Sequence, residues 1–298
     1  MTENPANNQI FTCGRFNLSL ESPLVMGILN LTPDSFSDGG TLGTIDLAVK
    51  KAEGMISDGV DIIDLGEEST RPGAEKVPIE EEWERVEGVL TKILELKIPV
   101  SIDTMKPEIM IRAVEMGVDL VNDVSGFRSK EALEFLKAMK KTRIGFCIMH
   151  MQGKPQTMQE SPRYGDVVSE VEFFLQRKVD EFRRSGISED RILIDPGFGF
   201  GKTSQHNLSL LKEIPRLSKV CPLLVGLSRK RIISELCKRK SKPADRLGGS
   251  LAMALWSAMQ GASVVRVHDV KETKEMITVY KALGGDNIFS GVDNEKRT

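Results

Sequence analysis

The chain has 298 residues, 40% hydrophobic and 28% charged, with a formal charge of -2. That balance suffices for a core, excludes general disorder, gives no whole-chain reason to expect nucleic acid, and suits one barrel-sized domain over residues 1–298. Cys13, Cys147, Cys221 and Cys237 fall singly, without C-x-x-C spacing, so they imply neither a zinc site nor a disulfide framework and fit reduced thiols in a cytoplasm.

MTENPANNQI at the start lacks the basic and apolar regions of a signal peptide. No apolar run is long enough to span a bilayer, so a soluble cytoplasmic protein with no membrane partner is expected. Residues 10–20 alternate around Gly14 and Arg15, which predicts a short β-hairpin expected to plug the bottom of the domain. Next come eight short apolar runs. VMGILNL (25–31), VDIIDLG (60–66), PVSID (99–103) and DLVNDV (119–124) are the first four. RIGFCIM (143–149), RILID (191–195), CPLLVGL (221–227) and SVVRV (263–267) complete the set. Nearly continuous apolar runs of this length suit parallel strands covered by helices.

Between them, helical spacing appears over 45–57, 80–95 and 167–185, and 230–238 and 248–260 have room for two more helices. Gly59, Gly117, Gly186 and Gly261 end several such stretches, where a left-handed C-cap is easiest. Residues 284–298 read as a frayed tail. Strict β-then-α alternation favours a parallel sheet, and eight repeats favour its closure into a (β/α)8 TIM barrel of about residues 24–283. The fold class expected is therefore α/β.

The runs end in polar residues: Asn30, Ser69 to Arg71, Asp103, Asn122 with Asp123, His150, Asp195, Ser228 to Lys230, and Arg266 to His268. Polar residues recurring where each strand stops suggest one shared rim, the face on which barrel active sites lie. The segments 30–40 and 67–73 are too polar and Gly/Pro-rich for core and read as rim loops. Either alone is explained by ordinary turn chemistry, but two side by side favour function. Arg266 and His268, at i and i+2, share one face and could clamp a phosphate, against the plainer reading of a satisfied His and an Arg266 paired to Asp269. Asp103, Asn122 and Asp195 could hydrogen-bond a ring with adjacent N–H groups, while N-capping is the common fate of such an Asp. Lys230 could hold a ring carbonyl, or be a solvated lysine at a helix start. GFGFGKT (197–203) ends like a P-loop, but Pro196 stands where that motif needs Gly, so no nucleotide site is expected. The basic run 238–242 reads as a solvated loop, and His206 as helix-start surface.

Ten segments together resemble bacterial dihydropteroate synthases: MGILNLTPDSFSDGG (26–40), DIIDLGEESTRPG (61–73), SIDT (101–104), NDVSG (122–126), MHMQG (149–153), DPG (195–197), GFGK (199–202), SRK (228–230), RLGGS (246–250) and RVHDV (266–270). The likeness covers roughly residues 24 to 283. It implies a Mg2+-using transferase of folate biosynthesis, usually a homodimer and a sulfonamide target, that joins 6-hydroxymethyl-7,8-dihydropterin diphosphate to 4-aminobenzoate. By resemblance, Asp103, Asn122, Asp195 and Lys230 would hold the pterin. Asn30, Arg71, Arg266 and His268 would take the diphosphate, with Asn30 as metal ligand. Thr70, Arg71, Pro72, Phe36 and Phe200 would meet the aminobenzoate. Asp103, Lys230, Arg266, His268 and Asp34 would carry the chemistry. Arg231 departs from members that have a serine there. The alternatives are a pterin-binding methyltransferase barrel, which has no need of a diphosphate clamp or of the two rim loops, and a non-catalytic pterin-binding relative, against which intact Asn30, Arg71, Arg266 and His268 argue.

Overall fold

The computed structural model describes residues 10–31, 40–66, 77–153, 155 and 157–284, with backbone alone at 40–44. The expected hairpin forms from β1 (Ile10–Cys13) and β2 (Phe16–Ser19), turning at Gly14, whose φ of 54° suits a residue without Cβ. The barrel strands are β3 (Leu24–Asn30), β4 (Ile62–Gly66), β5 (Val100–Asp103), β6 (Leu120–Asp123), β7 (Gly145–Met149), β8 (Ile192–Asp195), β9 (Leu224–Val225) and β10 (Val264–Val267). They pair in parallel in the order β8-β7-β6-β5-β4-β3-β10-β9. A parallel bridge from Ile194 to Leu223 joins the two ends of that row and closes the ring.

The run 221–227 is expected as a full strand, yet only Leu224 and Val225 pair as one. Pro222 has no N–H for the ladder, and its carbonyl instead accepts the Ile194 N–H at 3.0 Å.

Helices alternate with the strands: α1 (Gly40–Ser57), α2 (Ile79–Ile93), α3 (Pro107–Met116), α4 (Lys130–Ala138), α5 (Val167–Arg184), α6 (Ser204–Lys212), the single turn α7 (Ile214–Leu217), α8 (Arg231–Leu236), α9 (Leu247–Met259) and α10 (Val270–Ala282). Gly59, Gly117, Gly186 and Gly261 all have positive φ, as their predicted place at helix ends requires. Of the expected tail, 284–298, all but Gly284 lies outside the described residues.

The apolar core falls into two main layers, beside a small cluster of Val124, Met149, Met151 and Met158. One lies between the strands and the helices. The other fills the barrel from inside with Leu24, Met26, Ile62, Leu120, Cys147, Leu193, Leu224 and Val264, and with Phe11 and Cys13 from the hairpin. Here the hairpin closes the N-terminal end of the barrel, as expected. A Cβ at Gly145 would lie 2.9 Å from both Cys13 and Phe11, so the bare backbone at the foot of β7 makes room for the plug. Asp119 fastens it: one carboxylate oxygen accepts the Arg15 N–H and Nε at 3.1 Å, and the other accepts Nη2 at 2.9 Å. Among the described residues the N-terminal end is thus filled, which leaves the site to the C-terminal end, where barrel active sites lie.

Candidate active site

Strand register brings the predicted residues into one layer. Asn30 pairs in register with Gly66, Gly66 with Asp103, and Asp103 with Asn122, so a single row crosses β3 to β6 at the C-terminal rim. One layer lower, Asp64 is in register with Ser101. Gly66 leaves space within the row, since a Cβ there would meet the Asp103 Cβ at 3.3 Å.

Arg266 is the centre of the arrangement. From β10 its Nε donates to Asp64 Oδ2 at 2.6 Å and its Nη2 to Asp103 Oδ2 at 2.7 Å. Asn122 Nδ2 donates to the same Asp64 oxygen at 3.4 Å. Asp64 is fully buried, whereas the Asp103 side chain keeps 14% of its surface exposed. The guanidinium is therefore held from beneath by one carboxylate and from the open side by another. Burial works against its charge, but the two carboxylates hold it protonated more firmly than usual. Burial pushes Asp103 up to about 7, opposed by Arg266 and reinforced by Asp64, Asp123 and Asp195.

Asp195 ends β8 and accepts the Gly197 N–H at 2.7 Å; burial raises its pKa and Lys230 opposes the rise. Lys230 Nζ donates to the Phe198 carbonyl and stands 4.7 Å from the centre of the Phe200 ring. Burial brings that ammonium down to about 8, with Asp195 holding it up. The expected alternative of a solvated lysine is thus not what the fold provides. His268 lies with its Nδ1 3.0 Å from Ser228 Oγ, which also accepts the His268 N–H at 3.2 Å. Burial and the cations Arg229 and Arg266 lower its pKa to about 3, so at neutral pH it is an uncharged imidazole. The Ser228 contact leaves Nε2 for a ligand.

Two expectations change. His150, directly after β7, is buried and faces Lys202 rather than the row, its Nδ1 2.9 Å from Lys202 Nζ. Asp269, the plainer partner for Arg266, is instead bound by Arg229 through Nε at 3.1 Å and through Nη2. Asp123 likewise serves its own turn, accepting the N–H groups of Ser125 and Phe127, each at 2.7 Å. Asp34, Phe36, Thr70, Arg71 and Pro72 lie outside the described residues. Arg231 is largely exposed and paired to Glu235 at 2.7 Å.

Asp64 is the residue that sequence reasoning passed over. Its signal was a carboxylate inside an otherwise apolar strand, IIDLG, where burial is tolerated only with a partner.

The chain matches the family described as pterin binding enzymes over residues 26–268. A dihydropteroate synthase of Neisseria meningitidis serogroup B is 46% identical over 281 residues, covering 92% of this chain and 98% of the relative. The structure of Xanthomonas albilineans dihydropteroate synthase with 4-aminobenzoic acid superposes with a TM-score of 0.85 at 43% identity, covering 93% of this chain and 98% of that one. The same enzyme in complex with 7,8-dihydropteroate gives 0.82 at 41% identity, covering 92% of this chain and 98% of that one. The chain belongs to the dihydropteroate synthase family. In this member of the family a polar layer of three carboxylates, two amides and two cations lies over an apolar, plugged barrel.

Proposed function

We propose that the chain condenses 6-hydroxymethyl-7,8-dihydropterin diphosphate with 4-aminobenzoate, giving 7,8-dihydropteroate and pyrophosphate. The observation that carries this reading is the Arg266 guanidinium held between Asp64 and Asp103 beside Asn122, Asp195 and Lys230. Asp195 and Asn122 pair with ring N–H groups, and Lys230 with the ring carbonyl. Asn30, Arg71, His268 and the exposed side of Arg266 receive the diphosphate. Thr70, Arg71, Pro72, Phe36 and Phe200 meet the aminobenzoate.

An aryl amine is a poor nucleophile. A path in which the C–O bond breaks first asks least of it: the bonding pair leaves with pyrophosphate, and the methylene cation is stabilised by the pterin ring. The amine lone pair then forms the C–N bond, and the surplus N–H proton passes to solvent. In this sequence Asp103 stabilises positive charge growing on the ring, while Arg266 and the neutral His268 donor face the departing negative charge; Asp34 joins the catalytic set from the first loop.

Mg2+ belongs to the same proposal. Among the described residues no group of three or more His, Cys, Asp or Glu is arranged so that it could hold a metal ion. Asn30 offers one amide oxygen at the rim, and one protein oxygen with diphosphate oxygens and waters is a set that Mg2+ accepts. Bound so, the ion supplies charge neutralisation on the leaving pyrophosphate.

A cytoplasmic homodimer completes the reading. Trp256 on α9 and Val279 on the adjoining α10 are both exposed, and a sedimentation mass of one 33.0 kDa chain would remove the dimer. The deciding experiment is pyrophosphate release from the pterin diphosphate with Mg2+, with and without 4-aminobenzoate, with the organic product weighed by mass spectrometry. Dihydropteroate is expected only with both substrates. Tight pterin binding without turnover would instead make this a pterin-binding relative.

A further inference from the structure

After β8 the chain makes a turn, residues 197–201, in which every carbonyl is bound by a side chain. Lys202 Nζ donates to the carbonyls of Gly197 at 3.0 Å and Phe200 at 3.1 Å. Lys230 takes that of Phe198, Gln159 that of Gly199, and the Tyr164 hydroxyl that of Gly201 at 2.9 Å. Lys202 also reaches the His150 carbonyl at 3.3 Å and its Nδ1 at 2.9 Å. The turn is pressed directly against the segment after β7. A Cβ at Gly197 would lie 1.9 Å from the His150 carbonyl oxygen, and one at Gly201 2.6 Å from that of Gln152. Both glycines have positive φ, at 66° and 62°.

Lys202 is 2% exposed. An amino group taken out of water costs stability unless its donors are matched, and even when matched an apolar side chain of that volume is often as good a filler. Matching here comes from four acceptors, two of them carbonyls of the turn and two, a carbonyl and Nδ1, from His150 against which the turn is pressed. Burial pushes the Lys202 ammonium well below the usual lysine range, against the pull of Asp195. The Phe200 ring of the turn is partly buried against the cluster of Val124, Met149, Met151 and Met158 and lies against Lys230, whose ammonium donates to the Phe198 carbonyl.

We propose that Lys202 is a positioning residue for the second substrate: by fixing the carbonyls of Gly197 and Phe200 against His150, it sets the Phe200 ring where 4-aminobenzoate stacks. This rests on the assignment of Phe200 to the aminobenzoate site. Lys202 touches neither substrate and acts through the turn.

The test uses the full chain with Lys202→Met. The expected result is a KM for 4-aminobenzoate raised about tenfold or more, with pterin diphosphate affinity by titration kept within about threefold. A thermodynamic cycle with Phe200→Ala separates positioning from general loosening: the double variant should lose little more than Phe200→Ala alone. An unchanged aminobenzoate KM in a folded variant, losses that simply add, or both affinities falling together with Tm would each overturn the proposal. Should Lys202→Met not accumulate as folded protein, Lys202→Gln keeps a buried amide donor but is too short to hold the carbonyls of both Gly197 and Phe200. The same split in KM is then required. A wild-type chain that forms no dihydropteroate overturns the assigned reaction and this inference with it, whereas an active wild type with unaltered variants overturns the inference alone.

Discussion

At the scale of single residues, the pocket turns on how one guanidinium is shared by two carboxylates. Asp64 is sealed beneath Arg266 and cannot meet a ligand, so Asp103 is the carboxylate that can leave the pair to follow charge on the ring. Replacing it with the isosteric amide removes the charge and keeps the shape. Asp103→Asn should cost roughly 3 kcal/mol of transition-state stabilisation, about a hundredfold in turnover, with pterin affinity largely intact; equal losses in both would sink the assignment. The pH profile gives a second reading of the same group. Burial lifts Asp103 to about 7 and lowers Lys230 to about 8. The charged carboxylate is needed, so kcat/KM for the pterin diphosphate should rise as pH climbs through about 7 and fall again as Lys230 loses its proton. Titration of the substrate's own phosphates is common to both proteins, so the part of the acid limb that disappears in Asp103→Asn belongs to Asp103. Identical limbs in the two proteins would remove it. Asp103, Asn122, Asp195, Lys230, Arg266 and His268 were legible in sequence because polar residues at strand ends stand out against apolar runs. Asp64 was hidden because its partner is remote in sequence, 202 positions away at Arg266, and Lys202 because most of its acceptors are backbone carbonyls, which no side-chain pattern announces.

Elements were legible to the extent that their signals are local. Continuous apolar runs marked the barrel strands within one or two residues at most ends, and glycines marked helix ends, because burial on both faces and left-handed caps leave direct imprints. β9 was overextended because hydrophobicity does not report whether a backbone N–H is present, and Pro222 has none. Alternation around Gly14 revealed the hairpin, but its seat depended on an absence, the missing side chain of Gly145. That seat yields a prediction separable from activity. Phe11 is fully buried among the inner barrel residues at the end opposite the site. Phe11→Ala should destabilise the chain by about 3–5 kcal/mol in urea titration, with the KM values of both substrates unchanged in the protein that remains folded. A KM shift comparable to the stability loss would mean that the plug and the rim are not independent.

At the scale of the whole molecule, closure of the ring by the Ile194–Leu223 bridge ties the plug, the strands and the rim into one hydrogen-bonded circuit. A ligand that binds the rim should then stabilise the folded chain as a whole, by RT ln(1 + [L]/Kd). Pterin diphosphate at about one hundred times its Kd corresponds to about 2.7 kcal/mol, and for a chain of this size to a rise in Tm of about 5 °C. Asp103→Asn should show nearly the same rise, because its charge is assigned to the transition state rather than to binding. Asp195→Ala should show less than half of it at the same concentration, because its loss leaves ring N–H groups unpaired in a buried pocket. In Phe11→Ala the increment should simply add to the lowered baseline, since the two sites share no partner. Differential scanning fluorimetry on the four proteins measures all of this at once, and an Asp195→Ala increment equal to that of the wild type would remove Asp195 from the pterin site while leaving the fold argument intact.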